Sequence, residues 1–177
     1  AIVEVAGQEL NPETWAIARS ELMMRGDDPK RLAPGNSLTE DAFAGQRFDY
    51  ILANPPYGVD WKKYADPIRA EAASGAADNR FVAGLPRISD GSLLFLQHMI
   101  SKMKPHSAAG GGSRIAIVLS GSPLFSGGAG SGEAGIRRRI IENDWLEAIV
   151  GLPDQMFYNT RLSTHVWAVT NRKPAHR

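Results

Sequence analysis

Phe48-Asp49-Tyr50-Ile51-Leu52-Ala53-Asn54-Pro55-Pro56-Tyr57-Gly58 decides the fold of this 177-residue chain. Its first six residues are mostly apolar and β-prone, which suits a strand laid into a sheet. Two prolines then fix φ twice and remove two backbone donors, so the strand ends in a rigid corner. The corner carries an amide at Asn54, a flat ring at Tyr57 and backbone carbonyls that no regular helix can occupy. Two carbonyl acceptors converging on a planar amino group draw electron density onto its nitrogen and bias it toward tetrahedral geometry. Such chemistry needs no charged base, only positioning and electrostatics. An Asn-Pro-Pro corner is also a plain strand-ending turn, so its surroundings must decide.

Upstream, Ile2 to Ala6 predicts a short strand, followed by Gly7-Gln8-Glu9-Leu10-Asn11-Pro12. Asn11 suits an N-cap and Pro12 the first helical position. Trp15, Ala18 and Leu22 recur at helical spacing until Gly26, a natural left-handed stop. A short strand is expected near Arg31 to Ala33. Downstream, residues 58–89 hold no clean period, which predicts a long inserted loop region. Ser89 or Asp90 is expected to cap a helix lined by Leu93, Leu96, Ile100 and Met103 and stopped by Pro105. His106 to Ser113 is expected to be a flexible glycine-rich loop, followed by a buried strand over Arg114 to Leu119. A Gly/Ser loop over 121–132, a helix near 133–143 and strands near 145–151 and 163–170 complete the pattern.

Strands alternating with helices predict a doubly wound α/β sheet, mostly parallel, with an antiparallel last strand. At 43% hydrophobic and 22% charged residues the chain has the composition of a globular domain. It lacks cysteine, which excludes disulfides and thiolate metal sites. His98, His106, His165 and His176 show no ligand spacing, so no metal site is expected. A net charge of +1 makes no global bid for nucleic acid, and Arg137-Arg138-Arg139 suits a solvated helix face. No apolar run is long enough to span a membrane, and a cytoplasmic protein is expected. The chain opens at Ala1 without a methionine, directly in a strand pattern, as expected of a segment of a longer chain.

In an open α/β sheet, ligands sit beyond the carboxyl ends of the strands. Asn54 ends one strand, and Glu9 lies just beyond another. A carboxylate there can accept both hydroxyls of a ribose, with Leu10 against an adenine face. The same acid would also favour the N-terminus of the following helix.

In combination, Gly7 to Thr14, Asn36-Ser37-Leu38, Phe48 to Gly58, Trp61, Arg80-Phe81, Gly84-Leu85-Pro86, Ser89-Asp90 and the block Ile149 to Trp167 resemble the N6-adenine DNA methyltransferases. More narrowly, the chain is similar to the modification subunit of type I restriction–modification systems, over nearly its whole length. The resemblance implies a Rossmann-like methyltransferase fold, S-adenosylmethionine (SAM) as donor, and N6 of an adenine flipped out of double-stranded DNA as acceptor. It implies catalytic roles for Asn54, Pro55, Pro56 and Tyr57, and cofactor roles for Glu9, Leu10, Asn36 and Ser37. Asn36 stands where the family often has an acid. It further implies a specificity subunit, a restriction subunit and a prokaryotic cytoplasm.

The family's glycine-rich SAM loop and its first, central strand are absent from this sequence. A partial catalytic domain over 1–177 is therefore expected, with little activity alone and sheet edges open to self-association. Protein-glutamine methylation, and a non-catalytic DNA-clamping role, are the alternatives.

Overall fold

The computed structural model describes residues 3–107, 110–157 and 162–173. Ile2 and His176 lie outside them. The chain divides into two compact units, Ala1–Gly45 and Gln46–Arg177.

The first unit is built on two parallel strands, β1 (Gly7–Glu9) and β2 (Leu32–Pro34), with Glu9 opposite Pro34. Between them runs α1 (Pro12–Arg25). The Asn11 amide oxygen accepts from Glu13 N and Thr14 N at 2.9 and 3.1 Å, and Gly26 closes the helix at φ 80°. The Trp15 indole donates to the Leu32 carbonyl at 3.0 Å and docks α1 on β2. The strand expected over 2–6 sits further along, because β2 offers partners to Gly7, Gln8 and Glu9 only. Val3 and Val5 are exposed and belong to no strand, and Glu4 pairs with Arg31 at 2.8 Å.

The second unit holds a four-stranded sheet in the order β3 (Tyr50–Ala53), β6 (Arg114–Ser120), β8 (Thr164–Thr170), β7 (Leu146–Gly151). β3 and β6 are parallel; β8 is antiparallel to both β6 and β7. The sequence anticipates the reversed last strand, and the structure inserts it between two strands that run the same way. Ile51, Ala53, Ile115, Ile117, Leu119, Trp167 and Val169 share one face of this sheet. They pack against Leu93, Leu96, Met99 and Ile100 of α3 (Ser92–Ser101) and Ile136 and Ile140 of α5 (Gly132–Glu142). Tyr50 and Leu52 point the other way and stay exposed.

Ser113 ties the lower ends of these strands together. Its buried hydroxyl donates to the Phe48 carbonyl and accepts from Lys104 N at 2.8 Å. Its own amide donates to Asn171 Oδ1 at 2.7 Å, and its carbonyl accepts from Thr170 Oγ1 at 2.8 Å. The segment before it, expected to be a loop, carries a small antiparallel pair, β4 (His106–Ser107) with β5 (Gly110–Gly111).

Residues 58–89 are also more ordered than an aperiodic sequence implies. They contain a 3-10 turn (Lys62–Tyr64) and α2 (Ala65–Ala73), whose Ala65 and Ile68 are buried. The two arms meet at the base, where Trp61 N donates to Ile88 O at 3.1 Å and Gly91 N to Val59 O at 3.0 Å. Trp61 itself is buried and donates its indole N–H to Arg87 O at 2.9 Å. Further out, Arg80 grips both carboxylate oxygens of Glu71. Burial alone would raise the Glu71 pKa, but these Arg80 bonds outweigh it and hold the carboxyl below its ordinary value. Asp90 accepts from Ser92 N and Oγ at the head of α3, one residue before the cap at Gly91.

The segment 83–87 lies directly on the first turn of α5. A methyl group on Gly132 would sit 1.8 Å from the Leu85 carbonyl oxygen, and one on Gly135 2.3 Å from that of Ala83. Those contacts are with backbone, which cannot swing aside. Gly132→Ala is therefore expected to destabilise the chain by about 3 kcal/mol or more, the upper range for overpacking. Gly128→Ala, with nothing within 4 Å, should leave a thermal melt nearly unchanged. Equal melts for the two variants would contradict the close docking.

Candidate active site

Because β3, β6 and β7 run the same way, the connections that leave Ala53, Ser120 and Gly151 emerge at one end of the sheet. The Asn-Pro-Pro-Tyr corner is the first of them. Pro55 is buried, while Asn54 and Pro56 are exposed and Tyr57 is half-buried. Gly58 follows at φ 61°, a conformation that a side chain would strain.

The Tyr57 hydroxyl donates to Asn54 Oδ1 at 2.5 Å. This bond holds the amide in one orientation and uses one of the two lone pairs on its oxygen. The other remains open to a ligand. Among the described residues the Pro55 carbonyl accepts no hydrogen bond. The corner thus carries two open acceptors among the described residues, together with an internal brace that the sequence does not reveal. Burial pushes the Tyr57 phenol above the usual tyrosine range, so it remains a neutral donor.

A second aromatic stands beside the corner. The Phe157 ring, on the connection after β7, meets Tyr57 edge-on with centroids 6.4 Å apart and planes at 64°. Reading the sequence does not single it out. The one signal there is an aromatic just past a strand-ending Gly-Leu-Pro.

The connection after β6 begins with a short helix, α4 (Ser122–Phe125). Arg137 of α5 clamps it by donating to the carbonyls of Pro123, Ser126 and Gly127 at 2.9, 2.7 and 3.2 Å. Arg138 pairs with Glu142 at 2.6 Å and Arg139 lies over the Trp145 ring. The basic run is thus engaged within the protein itself, and Arg137 sets the shape of the glycine-rich connection.

In the first unit, Glu9 ends β1 and Asn36 follows β2, at the same end of the parallel pair. Gly35 N donates to Glu9 O at 2.9 Å and joins the two segments. Glu9 Oε1 accepts from Asn11 N at 2.7 Å, which leaves Oε2 open among the described residues. Leu10 beside it is exposed. Asn36 is turned inward: its Oδ1 accepts from Leu38 N at 3.0 Å, and its carbonyl accepts from Thr39 N and Glu40 N. Ser37 is half-buried in that turn. Gln8 braces the turn from the strand, donating to Glu40 O at 2.8 Å and accepting from Ala42 N.

The fold is that of the class I SAM-dependent methyltransferases. One such structure, from Listeria monocytogenes, superposes over all of this chain and 48% of its own, with a TM-score of 0.65 at 16% identity, a likeness of fold alone. The type I restriction–modification methyltransferase subunit of Streptococcus thermophilus gives 0.76 at 29% identity, over 97% of this chain and 35% of its own. Residues 2–177 match the family described as N-6 DNA Methylase, and the chain belongs to it. It is 31% identical over 173 residues to the methylase subunit of the type I restriction enzyme HindI of Haemophilus influenzae. That alignment takes in 97% of this chain but 35% of the relative, so the chain spans about a third of the length of such relatives. Among the described residues, no helix is long and apolar enough to cross a membrane.

The brace at the corner has an optical consequence. In an alkaline titration followed near 295 nm, a phenol component that ionises above the usual tyrosine range should appear, and Tyr57→Phe should remove it. A titration unchanged by Tyr57→Phe would contradict the buried, donating hydroxyl.

Proposed function

We propose that the chain supplies the acceptor side of an adenine-N6 DNA methyltransferase, working with a specificity subunit and a restriction subunit in a type I restriction–modification complex. The observation that carries this is the corner, where an amide oxygen held by Tyr57 and a free Pro55 carbonyl stand at the carboxyl end of a strand. The exocyclic amine of adenine is inaccessible within the duplex, so the base must be flipped into the corner. There its two N–H groups donate to Asn54 Oδ1 and to the Pro55 carbonyl. The Tyr57 and Phe157 rings offer aromatic faces to the base. As the nitrogen takes up the methyl group it gains positive charge, which the same two oxygens stabilise, and a proton then leaves to solvent.

SAM, when bound, supplies the methyl group already activated on a sulfonium. The residues that fit it are in the first unit: the open oxygen of Glu9 suits ribose hydroxyls, and exposed Leu10 suits the adenine face. Asn36 and Ser37 line the same strand end, where Asn36 keeps its side-chain nitrogen for the cofactor. Pro55 and Pro56 act through the rigidity they give the corner.

Methyl transfer from labelled SAM to an unmethylated duplex, with N6-methyladenine counted after digestion, tests the proposal on the chain alone and with a specificity subunit added. Turnover by the chain alone is expected to be slow, so the ratio between variants carries the result. Asn54→Ala is expected to lower the rate at least about 100-fold, as for loss of a preorganised electrostatic partner, and Tyr57→Phe by a smaller factor. Equal rates for wild type and Asn54→Ala would sink the assignment. In calorimetric titration, Glu9→Gln should weaken SAM binding roughly tenfold, the scale of a charge-assisted hydrogen bond; unaltered binding would remove Glu9 from the cofactor site.

A further inference from the structure

We infer that Lys62, Lys63 and Arg69, at the start of the 58–89 excursion, form a phosphate-binding rim for the DNA strand that carries the target base. The inference rests on the methyltransferase function proposed above and assigns the strand a place beside the corner.

Among the described residues, most of the other cationic side chains of the second unit are engaged inside the protein. Arg80 is paired with Glu71, Lys104 and Arg172 with Asp49, Arg114 with Glu147, Arg138 with Glu142 and Lys173 with Asp144. Arg87 bonds Ser122 and lies near Asp90, Arg137 binds three carbonyls, and Lys102 is buried with a partner of its own. Against that background, Lys62, Lys63 and Arg69 are exposed and have no carboxylate partner among the described residues. Arg47 shares that freedom but precedes β3, at the other end of the strand from the corner.

Their setting is shaped as well as charged. Lys62, Ala65, Asp66, Arg69 and Ile88 line an open groove of ≈ 430 Å³, a volume within the range of small-molecule sites. Ala65 and Ile88 give it an apolar floor suited to a deoxyribose, and two cations against the single carboxylate of Asp66 suit a phosphate. The Arg69 guanidinium is stationed over the buried Trp61 ring, 5.8 Å from its centroid, and Lys63 lies 5.7 Å from the Tyr64 ring centroid. Trp61 in turn is fixed by its bonds to Arg87 and Ile88, so the rim stands on a rigid base. Lys62 follows Tyr57 by five residues, at most about 18 Å of chain. That reach corresponds to roughly five nucleotide steps along one strand. Phosphate contacts of this kind fix register without reading sequence, which suits a chain whose recognition sequence is chosen elsewhere.

The test is fluorescence anisotropy with a labelled DNA duplex over a salt series, using the full 177-residue chain. Lys62→Ala/Lys63→Ala/Arg69→Ala should flatten the slope of log affinity against log salt by about 2 to 3, near one for each phosphate no longer neutralised. Lys62→Arg/Lys63→Arg/Arg69→Lys should keep the slope. So should Arg138→Ala, which removes an exposed cation already paired with Glu142. Circular dichroism melts establish that each variant is folded. Wild-type binding with an unchanged slope in the alanine triple variant would overturn the rim and leave the methyltransferase proposal standing. No salt-dependent binding by the wild type would overturn the rim and count against the DNA proposal beneath it.

Discussion

The placement of the corner depends on a serine hydroxyl. β3 is short and, among the described residues, pairs along one edge only, so its four residues cannot by themselves fix its register. Ser113 does so from below. It takes the Phe48 carbonyl just before β3 while holding Lys104 N and, through its backbone, Thr170 and Asn171. Arg114 N then donates to Asp49 O at 2.9 Å and starts the ladder. A slip of one residue would turn Ile51 and Ala53 out of the core and Tyr50 and Leu52 into it. It would also carry Asn54 to the wrong face of its strand end. Buried hydrogen bonds of this kind contribute little net energy each, but leaving any of them unmade is costly, and that cost makes the register unique.

Much of this architecture is legible in the sequence because its signals are local. Asn11-Pro12 and Gly26 mark both ends of α1, and the apolar run Arg114 to Leu119 lies inside β6. What the sequence does not carry is pairing. Ile2 to Ala6 alternates like a strand, yet strand structure begins at Gly7, where β2 supplies a partner. The glycines at 110–112 read as a loop, and their positive φ values accompany a short antiparallel pairing that the sequence does not signal. The 58–89 stretch lacks a period because its few buried residues, Trp61, Ala65, Ile68, Phe81 and Pro86, answer to several neighbours rather than to one helix face.

The candidate site divides along the same line. Asn54 to Tyr57 is contiguous, so its chemistry can be read directly, and Glu9 and Asn36 follow from the strand ends they adjoin. Phe157 lies 100 residues beyond Tyr57 in sequence, and only the sheet order brings the two rings together. Arg137, taken with its neighbours, has the pattern of a solvated basic run. Its bonds to three carbonyls depend on where α4 and α5 meet. The same holds for Lys62, Lys63 and Arg69: composition counts charges, but only the folded chain separates those already paired from those left over.

Among the described residues β3 pairs along one edge only, which carries a consequence for handling this chain. Tyr50-Ile51-Leu52-Ala53 is uncharged and mostly apolar, and Leu52 is 79% exposed. Such a segment combines open backbone donors and acceptors with a sticky outward face, the features that template cross-β aggregation. Solubility, rather than thermodynamic stability, is therefore the property this strand is expected to limit: the yield of refolded chain should fall as concentration rises, and a charge introduced at Leu52 should relieve it without touching the core.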